Sequence, residues 1–370
     1  MKVEVLKENL KKVLSVCERI TRKTTTLPVL QNVLIEAKDN FLELTTTNLE
    51  VSIQWGVLAK IKKQGRVLVP ATFLSNLVSL IPTEKVEFHE DNKNLILTSK
   101  DQEAQVQGQD PEEFPIVPRA DKEISLKIDT QALEQGLAKV VDIPSVSQIR
   151  PEISGVLFEL KKGKLKLVST DSFRLAEKVI NLKTQPKDGK FILPQESSRE
   201  LLNILSQQEG EIEIFPSMNQ VVFELSDNQQ RICLSSRLIE GEYPNYQEII
   251  PKKSQTKSVF KKEEFSSQVK QAGLFSGKVQ EVKLTFTPKE GKVKLFSQSA
   301  ERGRNEAYLN CKIEGKAAEV SFNHRYLLEG LAIIPSSEVV LELSEQEGPG
   351  ILKPVGDTSL LYVLMPIKAS

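Results

Sequence analysis

The stretch GVLFELKKGKLKLVSTDSFRLA, Gly155 to Ala176, returns in recognisable form on either side of itself and divides the chain into thirds. Val156, Phe158 and Leu160 alternate with Leu157 and Glu159, Lys162-Gly163 marks a turn, and Leu165 and Leu167 resume the alternation. Period-two patterning on both sides of a Gly-containing turn predicts a β-hairpin. Upstream, NVLIEAKDNFLELTTTN (32–48) aligns Asn32 with Gly155; downstream, VKLTFTPKEGKVKLFSQS (282–299) aligns Gly291 with Gly163. A second marker checks the register: GRVLVP (65–70), GKFILP (189–194) and AEVSFN (318–323) follow the three hairpins. The two markers agree to about one residue, which makes the repeat threefold and predicts three similar domains.

The remaining elements repeat in the same order. Leu10, Val13, Leu14, Cys17 and Ile20 fall at helical spacing, with Lys7, Lys11, Lys12, Arg19 and Arg22 between them, so a helix with one core face and one basic face precedes the first hairpin. Leu133, Leu137 and Val141 give the middle copy of that helix from Asp129 onward, and Phe265, Val269 and Ala272 give the last, near Lys262 to Phe275. A second helix follows each marker, from Pro70 to Ile81, Gln195 to Leu205 and Asn323 to Ile333. Strands close each third, near 85–89, 95–99 and 104–108, then 211–215, 221–225 and 231–235, then 338–343 and 360–365. Even the linkers recur, Phe114-Pro115 in DPEEFPIVP against Tyr243-Pro244 in RLIEGEYPNYQEIIP, and boundaries at 1–120, 121–251 and 252–370 are expected. The fold class expected is α+β, three repeated domains of two helices packed on antiparallel sheets, each third itself nearly a twofold repeat.

With 370 residues, each third is large enough to bury its own core. Lys plus Arg and Asp plus Glu both number 50, so any surface for a polyanion has to arise from local segregation of charge. Cys17, Cys233 and Cys311 lack metal-ligand spacing and read as free thiols in a reducing compartment. MKVEVLKENLKK has no apolar signal core and no run is long enough to span a bilayer, so a soluble cytoplasmic protein without membrane contact is expected.

Catalytic motifs are missing. The two histidines, His89 and His324, are far apart, and no HExxH, GxSxG or paired CxxC occurs. GLFSGK (273–278) has one residue too few between its glycines for a phosphate loop and Val279 where a hydroxyl should hold magnesium. Asp171 lies beside Ser172 and Arg174 but lacks the histidine that a hydrolytic site needs. No enzyme, cofactor or metal site is expected.

TLPVL (26–30), RPEISGVLFE (150–159), STDSFRLA (169–176), SRLIEGEYPNY (236–246) and the C-terminal YVLMPIK (362–368) together resemble the bacterial DNA polymerase III beta subunits, the sliding-clamp family, over the whole chain. That resemblance implies a head-to-tail homodimer whose six domains close a ring around duplex DNA, helices lining the hole and sheets outside. An arc of three domains leaves a strand edge free at each end, and pairing the two edges with a second copy would bury them. Topology then does the holding, so the hole needs only weak, sequence-independent attraction to phosphates. The cations assigned to it are Lys12, Arg19, Arg22 and Lys23, then Lys139 and Arg150, then Lys262, Lys270 and Lys278, each of which could instead belong to a merely solvated helix face. Thr24 stands where the family often has Arg, a role left to Arg22 and Lys23.

The resemblance further implies a pocket for short hydrophobic motifs of the replicative polymerase, the clamp loader and repair proteins. Carried over by position, it uses Ile153; Thr170, Ser172, Phe173, Arg174 and Leu175; Pro244 and Ile249; Asn323 and Tyr326; and Val363, Leu364, Met365, Pro366 and Ile367. Ser172-Phe173 replaces the common Gly-His, and Leu175 and Val363 could equally be core. Residues from Thr170 differ from those after Thr47 and after Gln298, as expected if only the middle copy serves partners. A three-repeat peptide-binding scaffold without DNA encirclement is the alternative function.

Overall fold

The computed structural model describes residues 1–22, 27–100, 102–117, 125–144, 147, 149–344 and 348–368. The first third runs β1 (Lys2–Leu6), α1 (Lys7–Thr21), β2 (Asn32–Lys38), β3 (Phe41–Thr47), β4 (Val51–Leu58), β5 (Lys60–Lys63), β6 (Gly65–Pro70), α2 (Ala71–Leu80), β7 (Lys85–Asp91), β8 (Asn94–Ser99) and β9 (Gln102–Val106). The middle third repeats this as β10 (Leu126–Asp129), α3 (Thr130–Leu137), β11 (Gly155–Lys161), β12 (Lys164–Thr170), β13 (Arg174–Asn181), β14 (Gly189–Pro194), α4 (Gln195–Leu205), β15 (Glu211–Pro216), β16 (Gln220–Ser226) and β17 (Gln230–Arg237). The last third has β18 (Thr256–Lys261), α5 (Lys262–Leu274), β19 (Glu281–Thr287), β20 (Lys292–Ser299), β21 (Gly303–Asn310), β22 (Lys312–Gly315), β23 (Ala318–Asn323), α6 (His324–Ile333), β24 (Glu338–Leu343), β25 (Gly350–Pro354) and β26 (Leu360–Leu364).

The hairpin of residues 155–176 forms as its sequence dictates. Lys161 pairs Lys164 across a two-residue turn, and Lys162 (φ 50°) and Gly163 (φ 71°) both adopt the left-handed backbone that matches the twist of the flanking strands. Gly155 to Leu160 then pair with Pro194 to Gly189, so the second marker is the strand that flanks the hairpin. β6 flanks β2 and β23 flanks β19 in the same way. The alternating side chains Val156, Phe158 and Leu160 are buried, as are Leu10, Val13, Leu14, Cys17 and Ile20 of α1. Gly136 brings α3 onto the sheet: a Cβ there would lie 2.7 Å from Ile180 Cδ1.

Among the described residues all strand pairs are antiparallel, and the sheets run across the repeats. One compact unit comprises 1–131 with 199–239, the other 132–198 with 240–370, so the middle third is shared between them. In the first unit, a five-stranded sheet is ordered β5-β1-β7-β8-β9 and an eight-stranded sheet β10-β15-β16-β17-β4-β3-β2-β6, joined where β17 pairs β4. In the second, a nine-stranded sheet is ordered β14-β11-β12-β13-β26-β25-β24-β18-β22, joined where β13 pairs β26, and a four-stranded sheet β21-β20-β19-β23 completes it. β9 and β21 each end a sheet and have one strand neighbour.

Several strands were not expected from the sequence. β1, β10 and β18 precede the first helix of each third, where the reading began with the helix itself. β25 (Gly350–Pro354) was not expected either. The middle helix ends at Leu137, and Val141 is buried in the turns that follow it rather than on a fourth helical step.

Candidate functional site

The loop joining β12 to β13 is built by its own side chains. Thr170 Oγ1 donates to the Arg174 carbonyl (2.7 Å) and accepts from the Ser172 amide (3.1 Å), while Asp171 Oδ1 accepts from the amides of Phe173 and Arg174 (3.0 Å each). Ser172 takes a left-handed backbone, φ 77°. The turn leaves Phe173 60% exposed, although a side chain of that size normally seeks the core. The same frame recurs in the first third, where Thr47 Oγ1 bonds the Val51 carbonyl and the Leu49 amide, Asn48 Oδ1 accepts from Glu50 and Val51, and Leu49 has φ 74°. The first and middle thirds thus share the backbone frame of this loop and differ in the side chains it presents.

Arg174, 9% exposed, is held on every side. Nε pairs Asp171 at 3.0 Å, Nη1 pairs the Glu329 carboxylate, and the guanidinium stacks 4.6 Å over the Tyr326 ring. Phe173 stacks on the same ring at 6.4 Å between centroids. Buried Tyr362, whose phenol burial pushes well above its usual value, donates to the Tyr326 carbonyl at 2.9 Å. A fixed cation, two tyrosines and one exposed phenylalanine thus form a rigid aromatic patch.

The C-terminal segment straps across this patch. Leu175 pairs Val363, the Met365 amide donates to the Phe173 carbonyl (2.9 Å), and the Ile367 amide donates to the Ser321 carbonyl (2.8 Å). Met365 (39% exposed) and Ile249 (43%) line a cleft of about 730 Å³ with Lys252, Lys253 and Pro349, while Pro244, Pro366 and Ile367 are half-buried. Tyr246 anchors the linker bearing Pro244 and Ile249, its hydroxyl donating to buried Glu177 at 2.6 Å. The structure thus brings together Thr170 to Arg174, Tyr326 and Met365 to Ile367. It places Ile153, Leu175, Val363 and Leu364 in the core behind them, and uses Asn323 as the α6 cap, accepting from the Arg325 amide at 3.0 Å. The sequence reading missed Glu329, Lys252, Lys253 and Pro349. The Lys252-Lys253 pair directly after the linker was the available signal.

The cations assigned to DNA separate by partner. Arg19 pairs Glu200 at 3.0 Å and Arg22 pairs Glu18 at 2.6 Å. Arg150 pairs Glu152 at 3.3 Å and donates to Ser172 Oγ at 3.4 Å, which puts it at the Phe173 loop. Lys262 Nζ donates to the Ile334 carbonyl at 2.8 Å. Lys139 is half-buried, and burial, then Lys178 and Lys262, lower its pKa. Lys12, Lys270 and Lys278 are exposed and, among the described residues, have no carboxylate partner. Lys23 lies outside the described residues.

Among the described residues no helix is long and apolar enough to cross a membrane, and no group of three or more His, Cys, Asp or Glu side chains could hold a metal.

Comparison with known proteins gives three consecutive matches to the DNA polymerase III beta subunit: its N-terminal domain over residues 1–118, central domain over 127–245 and C-terminal domain over 247–368. The beta sliding clamp of Staphylococcus aureus is 28% identical over 354 residues, covering 93% of each chain. The crystal structure of the DNA polymerase sliding clamp from Bacillus subtilis superposes with a TM-score of 0.93 at 25% identity, covering 100% of both chains. A DnaN sliding clamp from Bartonella birtlesii bound to griselimycin superposes at 0.92 with 27% identity and the same coverage. Since the three matches follow one another from residue 1 to residue 368, the chain belongs to the DNA polymerase III beta subunit family, the beta sliding clamps.

Proposed function

We propose that this chain is a processivity factor for a replicative DNA polymerase, an accessory subunit with no catalysis of its own that works in the bacterial cytoplasm, at the nucleoid during replication. Two copies join head to tail, and the six domains, bounded near 1–120, 121–251 and 252–370, encircle duplex DNA without reading its sequence. The observation that carries this reading is the run of three consecutive clamp domains along the whole chain. Of the eight strands that end a sheet among the described residues, β9 in the first third and β21 in the last would give closure a physical basis, because a second copy can satisfy the row of backbone donors and acceptors that such an edge presents. Opening the ring then separates strands without unfolding a domain, which a loader can drive.

Partners would dock through the patch around Phe173. An apolar peptide side chain laid against Phe173, Ile249 and Met365 leaves water for about 25 cal/mol per Å², while the Arg174 cluster keeps the wall from collapsing. The polymerase, loader and repair proteins would compete for that single patch.

Light scattering and retention on nicked circular DNA after loading by the cognate loader test the proposal together. The expected outcome is a particle of twice the 41.5 kDa chain mass, retained on circles and lost when the circle is cut. A monomer that never remains on circles would return the protein to a peptide-binding scaffold.

A further inference from the structure

A second cleft, of about 460 Å³, lies between the C-terminal end of α5, the β20–β21 turn and the first turn of α6, and shares no lining residue with the Ile249–Met365 cleft. Lys278, Arg302, Arg325 and His324 line it against one carboxylate, Glu301. Among the described residues none of the three cations has a carboxylate partner, whereas Arg19, Arg22, Arg66, Arg150 and Arg174 all do. Three like charges with a single carboxylate nearby, to which none of them is paired, repel one another and are stabilised by an anion.

The frame around them is fixed. Ser299 Oγ accepts from the Arg302 amide at 3.2 Å, and Arg302 Nη1 donates to the Leu274 carbonyl at 3.3 Å, tying the β20–β21 turn to the end of α5 and leaving most of the guanidinium donors unused. His324 seats against Gly273, where a Cβ would come within 2.5 Å of Cδ2. Its Nδ1 lies 3.0 Å from the Gln280 carbonyl, which can only accept, so Nδ1 carries a hydrogen. Asn323 already caps the Arg325 amide, so the anion-binding capacity resides in the side chains, with the positive end of α6 adding to it.

We propose that this cleft binds a phosphate group. Three cations against one acid suit a dianion with three acceptor oxygens, and the arginine forks match its geometry better than a single carboxylate. The terminal phosphate of a free nucleotide has both properties; a phosphate of a DNA backbone, a monoanion with two free oxygens, shares the chemistry but fits it less fully. The site shares no lining residue with the Ile249–Met365 cleft, but Lys278 is also one of the cations assigned to DNA, so a preference for duplex over ADP would tie the site to that assignment.

Because the chain has two histidines, the ring resonances of His324 and His89 give a site reporter and an internal control in the intact protein. We would titrate inorganic phosphate, ADP and an unphosphorylated blunt duplex, holding ionic strength constant with sodium chloride and running sodium acetate in parallel. Saturable movement of His324 but not His89 with at least one phosphate probe is expected, and movement weakened about tenfold or more in Lys278→Ala/Arg325→Ala, exposed positions whose replacement is expected to leave the melting temperature unchanged. Lys278→Ala supplies a second, milder variant. Tighter binding of ADP than of duplex assigns a free nucleotide, and the reverse assigns backbone phosphate. The proposal is overturned if no probe moves His324 saturably, if acetate moves it equally, or if the variants bind as the parent does.

Discussion

At the scale of single residues, Phe173 and Arg174 are neighbours with opposite duties. Phe173 is exposed while its backbone is pinned on both sides, so its ring contributes little to folding and is available to a partner. Phe173→Ala is therefore expected to change stability by no more than about 0.5 kcal/mol, yet to weaken a clamp-motif peptide roughly tenfold or more, read by urea melts and by fluorescence anisotropy. Arg174→Ala leaves Asp171 and Glu329 without their cation, and a loss of about 3 kcal/mol in the same melts is expected. The sequence named both residues but could not separate them, because exposure and ion pairing are decided by Glu329 and Tyr326, more than 150 positions away in the chain. Cys17 offers a test by pH. Burial pushes its thiol up to about 12, so at pH 8 only roughly one molecule in ten thousand holds a thiolate. Alkylation located by mass spectrometry should leave Cys17 unmodified in the native protein at pH 8 and modify it fully in urea; modification under native conditions would contradict the burial.

Among the elements, those whose patterns are local were legible. The hairpins, the strands that flank them and the helices that follow could be read because alternation and turn chemistry lie within about 20 residues. β1, β10 and β18 were hidden because they are short, with Val3 and Val5 the only buried positions of β1, and because what makes them strands is pairing with β7, β15 and β24 far along the chain. One repeat at this scale explains a residue that had been assigned elsewhere. The amides of Lys7, Thr130 and Lys262, at the start of α1, α3 and α5, donate to Glu84, Gly210 and Ser337, and the Lys7 and Lys262 ammonium groups reach the carbonyls of Ile81 and Ile334, the residues that follow α2 and α6. Lysine at those positions satisfies an orphan carbonyl and meets the negative helix end. Lys262→Met keeps the aliphatic stem and removes the donor, and a cost of about 1 kcal/mol is expected in the urea midpoint. Its effect on salt-dependent DNA binding should be smaller than that of Lys270→Ala, because Lys270 has no such bond.

For the molecule as a whole, neutrality and the distribution of paired charge bear on how DNA is held. Lysines and arginines equal acids at 50 each, and of the nine cations assigned to DNA only Lys12, Lys270 and Lys278 stand exposed without an acidic partner among the described residues. A protein that gripped DNA by charge would need many such groups, since each neutralised phosphate contributes a slope of about −0.9 in log K against log salt. Three free lysines predict a shallow slope, about −3 for a linear duplex, and hence weak binding that fades at moderate salt. In the proposed ring, retention on a closed circle requires none of this attraction, because leaving demands that the interface between the copies open or that the DNA end. The triple variant Lys12→Ala/Lys270→Ala/Lys278→Ala should therefore flatten the salt dependence on linear DNA while residence on nicked circles at high salt stays as in the parent. Gel filtration of loaded circles alongside linear-duplex titrations separates the two terms, and equal loss of both would show that charge, not closure, does the holding.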